Sequence, residues 1–172
     1  MNIKDPSIGL LNSLTHGTVT VEKSVWLIKD FLEEKPENEY SLVIGTDSHE
    51  RTSEGEAKTI SLVTAVLVHR KGFGGKYFWT RKDVQNIHSL REKIYAETLE
   101  SLSFALFFVP LLRKSLNGNS PLYNLEIHID VGEHGDTRDM IKEVVGMVTG
   151  NGFVAKTKPQ AYGATYVADK HT

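Results

Sequence analysis

Apolar residues first recur at helical spacing in Val21, Val25, Ile28 and Phe31/Leu32; Thr20 offers a cap and Pro36-Glu37-Asn38-Glu39 a stop. The spacing predicts a helix over Val21 to Lys35. The period then changes. Tyr40 to Ser48 reads as a buried strand that ends on polar residues, and Ser53 to Glu56 as a loop. Ile60 to His69 is nearly continuous in β-branched and apolar residues. Lys76 to Thr80 reads as a short partner strand, joined to it by the glycine-rich turn Lys71-Gly72-Phe73-Gly74-Gly75.

A long helix follows, opened by Ser89 with Glu92 three residues on, the form of a capping box. Its stripe Leu90, Ile94, Ala105, Phe108, Leu112 is expected to face a core, and Pro110 to kink or shorten its end. Gly118-Asn119-Ser120-Pro121 reads as a loop and Tyr123 to Val131 as a strand. Thr137 to Thr149 reads as a helix capped by Asp136, and Phe153 to Lys158 as a strand broken by Pro159. Ala161 to His171 reads as a last short helix. The order after the first helix, β-β-β-α-β-α-β-α, predicts an α/β fold. It has a mixed five-stranded sheet, a three-stranded antiparallel meander plus β-α-β-α, with helices on both faces. Residues 40–172 are expected to form the domain, and residues 1–39 an N-terminal extension with one helix, in a single globular unit.

Composition narrows the chemistry. The chain has 172 residues, enough for one buried core without staples, and no cysteine, which excludes disulfide scaffolds, thiolate metal sites and a cysteine nucleophile. No run reads as the ~20 apolar residues of a membrane span, so no membrane partner is expected. Lys4, Asp5 and Pro6 stand where a secretory leader needs an apolar core, so a cytosolic protein is expected. The net charge of −2 hides segregation: residues 60–93 hold seven Lys/Arg against two Asp/Glu, whereas residues 1–59 hold six against eleven. That basic block is a candidate nucleic-acid surface, or the solvated face of a hairpin.

Four acids stand out by position. Asp47 and Asp130 each follow a hydrophobic strand, and sites in open α/β sheets lie outside the carboxyl ends of strands. Glu97 falls on the buried side of the long helix, where a carboxylate is costly unless paired or bound to metal. Asp169 lies on the last helix, on a face with Tyr162 and Thr165/Tyr166. Singly, each has a plainer explanation: a turn former, a pair with Lys93 or Arg91, a solvated terminus. Their joint order is that of the ribonuclease H fold.

The chain also resembles, over most of its length, a bacterial family of small predicted RNase H-like nucleases, the YkuK-type proteins. The resemblance is carried by Val43-Ile44-Gly45-Thr46-Asp47-Ser48, by Ser89-Leu90-Arg91-Glu92-Lys93-Ile94-Tyr95-Ala96-Glu97-Thr98 and by His128-Ile129-Asp130-Val131-Gly132. It continues in Thr137-Arg138 to Gly146-Met147 and in Lys156-Thr157-Lys158-Pro159 to Ala168-Asp169-Lys170. It implies hydrolysis of phosphodiester bonds in RNA, RNA–DNA hybrid or structured DNA by two Mg²⁺ or Mn²⁺ ions. Asp47 would bridge both ions, Glu97 and Asp130 would complete one shell, and Asp169 would support the other.

Accessory candidates are Lys158, Lys170 and Arg138 for phosphate, Lys76 and Arg81 on the basic hairpin, and His134 or His171 for proton transfer. Ser48 and Thr46 could order the strand end by bonding Asp47 or water, and His128 is expected to be a satisfied core histidine. The hairpin aromatics Phe73, Tyr77, Phe78 and Trp79 could stack bases or pack on the core. Two other readings stay open: a non-catalytic nucleic-acid or protein-binding module on the same fold, and a phosphate-binding actin-like half-domain using Gly45-Thr46-Asp47-Ser48 and Asp130 to Thr137. The N-terminal helix, outside the minimal fold, could cover the sheet or form a homo-oligomer.

Overall fold

The computed structural model describes residues 9–51, 59–116, 121, 123–135, 137–161 and 163–172. The expected loops at Ser53 to Glu56 and Gly118 to Ser120, the Asp136 cap and Tyr162 lie outside the described residues. In chain order the elements are β1 (Leu10–Ser13), β2 (Gly17–Thr20), α1 (Val21–Glu34), β3 (Tyr40–Arg51), β4 (Thr59–Arg70) and β5 (Gly75–Gln85). Then come α2 (Leu90–Ser115), β6 (Tyr123–His128), a 3-10 turn Arg138–Met140 leading into α3 (Ile141–Gly150), β7 (Val154–Lys156) and α4 (Gly163–Asp169).

The strands form one seven-stranded mixed sheet in the order β2-β1-β5-β4-β3-β6-β7. β3, β4 and β5 are an antiparallel meander, while β6 runs parallel to β3 and β7 parallel to β6. The class is the expected one; the strand count is two higher. The additional strands are the β1–β2 hairpin, which joins the sheet where Asn12 meets Trp79 on β5. Each has only four residues, too few for an alternation to register as a strand pattern.

Local chemistry explains the elements. Thr20 caps α1 by accepting the Lys23 N–H (3.2 Å), and Ser89 and Glu92 make the capping box that starts α2, each such cap contributing about 1 kcal/mol. The β4–β5 turn needs its glycines: Gly74 has φ +78°, and a Cβ on Gly75 would run into the Val68 carbonyl.

Two expectations about α2 need correction. Pro110 does not end the helix, which continues to Ser115; Pro110 is exposed, so the carbonyl its ring leaves without a donor is on the solvent side. Leu90, expected on the core stripe, is 45 % exposed because it opens the first turn beyond the sheet's cover. By length and composition α2 would also cross a bilayer, and half of its apolar stretch is buried within the fold.

Pleating separates two cores. The larger lies on the face bearing Leu42, Ile44, Val66, Val68 and Ile127, where α1, α2 and α3 pack through Ile28, Phe108 and Val144 among others. The smaller lies on the opposite face, where Val167 and Ala168 of α4 cover Val63 and Ala65, flanked by Tyr77 and Trp79. The hairpin aromatics therefore pack: Phe78 is buried in the larger core and Tyr77 and Trp79 lie against the smaller, leaving Phe73 exposed in the turn.

Candidate active site

Strand register builds a row of side chains across the sheet. Tyr40 to Gly45 pair in parallel with Tyr123 to His128; Asp47 lies two residues past the last pair on β3 and Asp130 two past the end of β6, close enough for the charge of one to act on the other. The β6–β7 pairs run from Glu126 with Val154 to His128 with Lys156; beyond them the register shifts, Lys158 N–H reaching Val131 O rather than Ile129 O, and the Lys158 side chain meets Asp130. On the other side, Asp47 pairs with Val63 and Val63 with Arg81. Paired residues share a face, so Arg81, Val63 and Asp47 form one line on the face that α4 covers, with neighbouring strands about 4.8 Å apart, and Asp130 and Lys158 follow past the ends of β6 and β7.

Asp47 is half-buried, and burial pushes its carboxyl above the ordinary range. The Ser48 backbone N–H and Lys93 oppose this; the charges of Asp169 and Asp130 add to it. Lys158 Nζ lies 2.5 Å from Asp130 Oδ1 as an ion pair, and that oxygen is buried yet accepts no hydrogen bond, the ammonium lying off the line of one.

Glu97 approaches from the other face. It sits on α2 among Ile94, Thr98 and Ser101 and is 5 % exposed. Ser48, which points opposite to Asp47, donates its hydroxyl to Glu97 Oε1 at 2.6 Å, and Lys93 Nζ stands 3.8 Å from the same oxygen. Burial pushes Glu97 up to about 7; Ser48 and Lys93 pull down, while Asp47 and Asp130 push further up. Next to it Ser101 Oγ donates to Thr46 Oγ1 (2.8 Å), which is 2.9 Å from Thr64 Oγ1. Ser48 and Thr46 thus order α2 against β3 rather than bonding the Asp47 side chain. No sequence signal named Glu97 as the partner of Ser48.

The structure brings together Asp47, Asp130, Glu97, Ser48 and Lys158, with Asp169 of α4, an exposed residue, in electrostatic range of Asp47. Among the described residues, no three Asp, Glu or His side chains gather closely enough to hold a metal ion. The reason is visible in the partners: Glu97 is turned to Ser48 on the α2 face, and Asp130 to Lys158.

Other candidates lie elsewhere. Lys76 pairs with Val68, level with Leu42, about 17 Å along the strand from Asp47, and its Nζ sits 5.4 Å from the Phe31 ring centroid. It is therefore not part of the row. Arg81 is in the row but donates to the His171 carbonyl. His171 stacks on Trp79 (3.7 Å between centroids, 8° between planes), which makes it a packing residue, and burial holds its pKa down. Lys170 lies over the Tyr166 ring at 4.4 Å. His134 and Arg138 are exposed in the loop after β6, where a cleft of ≈ 320 Å³ is lined by Gly132, Glu133, His134, Lys158 and Pro159. His128 is buried as expected, with Nε2 3.1 Å from Glu126 Oε2, while its Nδ1 has no hydrogen-bond partner.

A meander followed by parallel β6 and β7, an acid on β3, another just past β6, and an acid on the long helix α2 define the ribonuclease H-like class. The chain belongs to this family: the model described as Ribonuclease H-like matches residues 23–172. It is similar to the uncharacterized protein YkuK of Bacillus subtilis (strain 168), 32% identical over 171 residues, covering 95% of this chain and 96% of that protein. No solved structure matches the chain.

Proposed function

We propose that this protein is a divalent-metal-dependent nuclease hydrolysing phosphodiester bonds in RNA, RNA–DNA hybrid or structured DNA. The carrying observation is the gathering of Asp47 on β3 and Asp130 just past the parallel strand β6, with Glu97 and Asp169 near enough for their charges to be felt. An all-carboxylate donor set suits Mg²⁺ or Mn²⁺. The Asp130 Oδ1 atom, buried and met only by the Lys158 ammonium among the described residues, is an acceptor such an ion would take. Asp47, Asp130, Glu97 and Asp169 would hold two ions, which supply an activated water and charge stabilisation at the leaving 3′-oxygen. Lys158 and Arg81 flank the acids and would meet the flanking phosphates of the strand.

The test is cleavage of labelled single-stranded, duplex, hybrid and junction substrates by wild type and Asp47→Asn, in Mg²⁺ and in Mn²⁺. The expected result is metal-dependent cleavage of at least one substrate, reduced at least about a hundredfold by the substitution. Equal cleavage by both proteins, or no cleavage of any substrate, overturns the reading. A second reading is favoured by the Lys158–Asp130 ion pair and the Ser48–Glu97 hydrogen bond: a non-catalytic nucleic-acid-binding module whose acids are satisfied internally. Nucleic-acid binding unaffected by chelator, without cleavage, would select it.

A further inference from the structure

Lys158 is not a chance visitor at Asp130. Beyond the last β6–β7 pair the backbone turns: Ile129 N–H donates to Lys156 O (2.9 Å), Val131 N–H to Ile129 O (2.9 Å) and Lys158 N–H to Val131 O (2.8 Å). These bonds hold the Lys158 backbone against the turn that carries Asp130, and its ammonium reaches the Asp130 carboxylate. The ammonium stands 2.5 Å from the buried Oδ1 oxygen, which has no other described partner. Meanwhile the Lys158 side chain is 57% exposed and lines the adjoining cleft with Gly132 and His134, so the ammonium has room to leave without disturbing the core.

We propose that Lys158 is a built-in competitor for the divalent cation at Asp130, displaced into the cleft when metal binds. The inference rests on the nuclease reading and adds a regulatory property to its site. A fixed ammonium and a divalent ion repel strongly at one oxygen, so the two occupancies exclude each other. Coupling of this kind is reciprocal: whatever the Lys158 pair subtracts from metal affinity, metal subtracts from the pair. Lys158 therefore keeps the acids neutralised before metal arrives. Once displaced, it is a free cation beside the bound metal, placed to take a phosphate oxygen.

The experiment measures Mn²⁺ binding without nucleic acid, from the loss of the free-ion electron paramagnetic resonance signal at low ionic strength. It compares wild type, Lys158→Met, Lys158→Gln and Lys158→Arg, with circular dichroism confirming the fold of each. Both neutral variants are expected to bind Mn²⁺ about tenfold more tightly than wild type, and Lys158→Arg within about threefold of it. Detectable binding by the neutral variants with none by wild type supports the same conclusion. If wild type binds and either folded neutral variant binds equally or more weakly, the competition is overturned and the nuclease reading stands. If no protein binds Mn²⁺, or Asp47→Asn binds as wild type does, the nuclease reading itself falls and the competition with it.

Discussion

Glu97 is an ionisable group on the buried side of a helix, held by the Ser48 hydroxyl and the more distant Lys93 ammonium. Its carboxyl is raised from the usual 4.5 to about 7, so the folded protein holds this proton more tightly than the unfolded chain does. Folding thus takes up a proton between those values. The stability contribution is full below about pH 4.5 and is lost as pH rises through about 7. Replacing Glu97 by Gln removes the cost of burying a charge and retains an oxygen for Ser48. Metal-free Glu97→Gln should therefore be more stable than wild type at pH 8, by roughly 2 kcal/mol, with the gap closing towards pH 5. Urea unfolding with chelator present, at both pH values, checks this; an equal gap at the two would show that Glu97 is not the titrating group. The acids themselves were legible from the hydrophobic runs that precede two of them and from a helix face, although β3 runs on past Asp47 to Arg51 instead of ending there. Their partners were not, because the turn after β6 that brings Lys158 to Asp130 depends on tertiary pairing that no local pattern encodes.

Among the elements, α4 lies across β3 and β4 on the face opposite the larger core. It has seven residues and meets the sheet through Val167 and Ala168. Beyond its end the ring of His171 stacks on Trp79 and stands 3.3 Å from the Tyr77 hydroxyl, while its carbonyl takes the Arg81 guanidinium. His171→Ala should loosen α4 without touching the meander. Amide hydrogen exchange in Gly163–Asp169 is expected to quicken about tenfold and Trp79 fluorescence to shift red, with β4 and β5 unchanged. Uniform change across all elements would instead mean that this end of α4 is part of the global unit. The long elements were legible: β3 and β4 from unbroken apolar runs, α2 from its capping box. β5 is longer than its pattern suggests because Arg81 to Gln85 continue the ladder with outward polar residues, where pairing rather than hydrophobicity holds the strand.

At the scale of the whole molecule, the first forty residues are joined to the rest by more than a linker. The α1 residues Val21, Val25, Ile28, Phe31 and Leu32 are buried in the larger core. Arg70, 8% exposed, donates to the Phe31 carbonyl (2.9 Å), to Glu34 (2.7 Å) and to the Tyr40 hydroxyl (2.9 Å), tying α1 to the far end of the meander. We propose that residues 1–39 are integral to the folding unit rather than a removable extension. A chain beginning at Tyr40 should lose its cooperative thermal transition and aggregate, as circular dichroism and size-exclusion chromatography would show. A monomeric, cooperatively melting truncated chain would sink that expectation. The helical period of α1 was legible from the start, but its docking depends on a buried arginine 39 residues beyond Phe31.

The line of paired residues Arg81, Val63 and Asp47, with Asp130 just past β6, also bears on how such a chain can drift over generations. Because neighbours along a strand face opposite ways, a single residue gained or lost inside β3 or β6 would carry an aspartate to the side of the sheet that Glu97 and Ser48 occupy. The connecting loops are under no such constraint. Length variation among descendants of this sequence should therefore collect in the loops, while these two strands keep their count even where their side chains change.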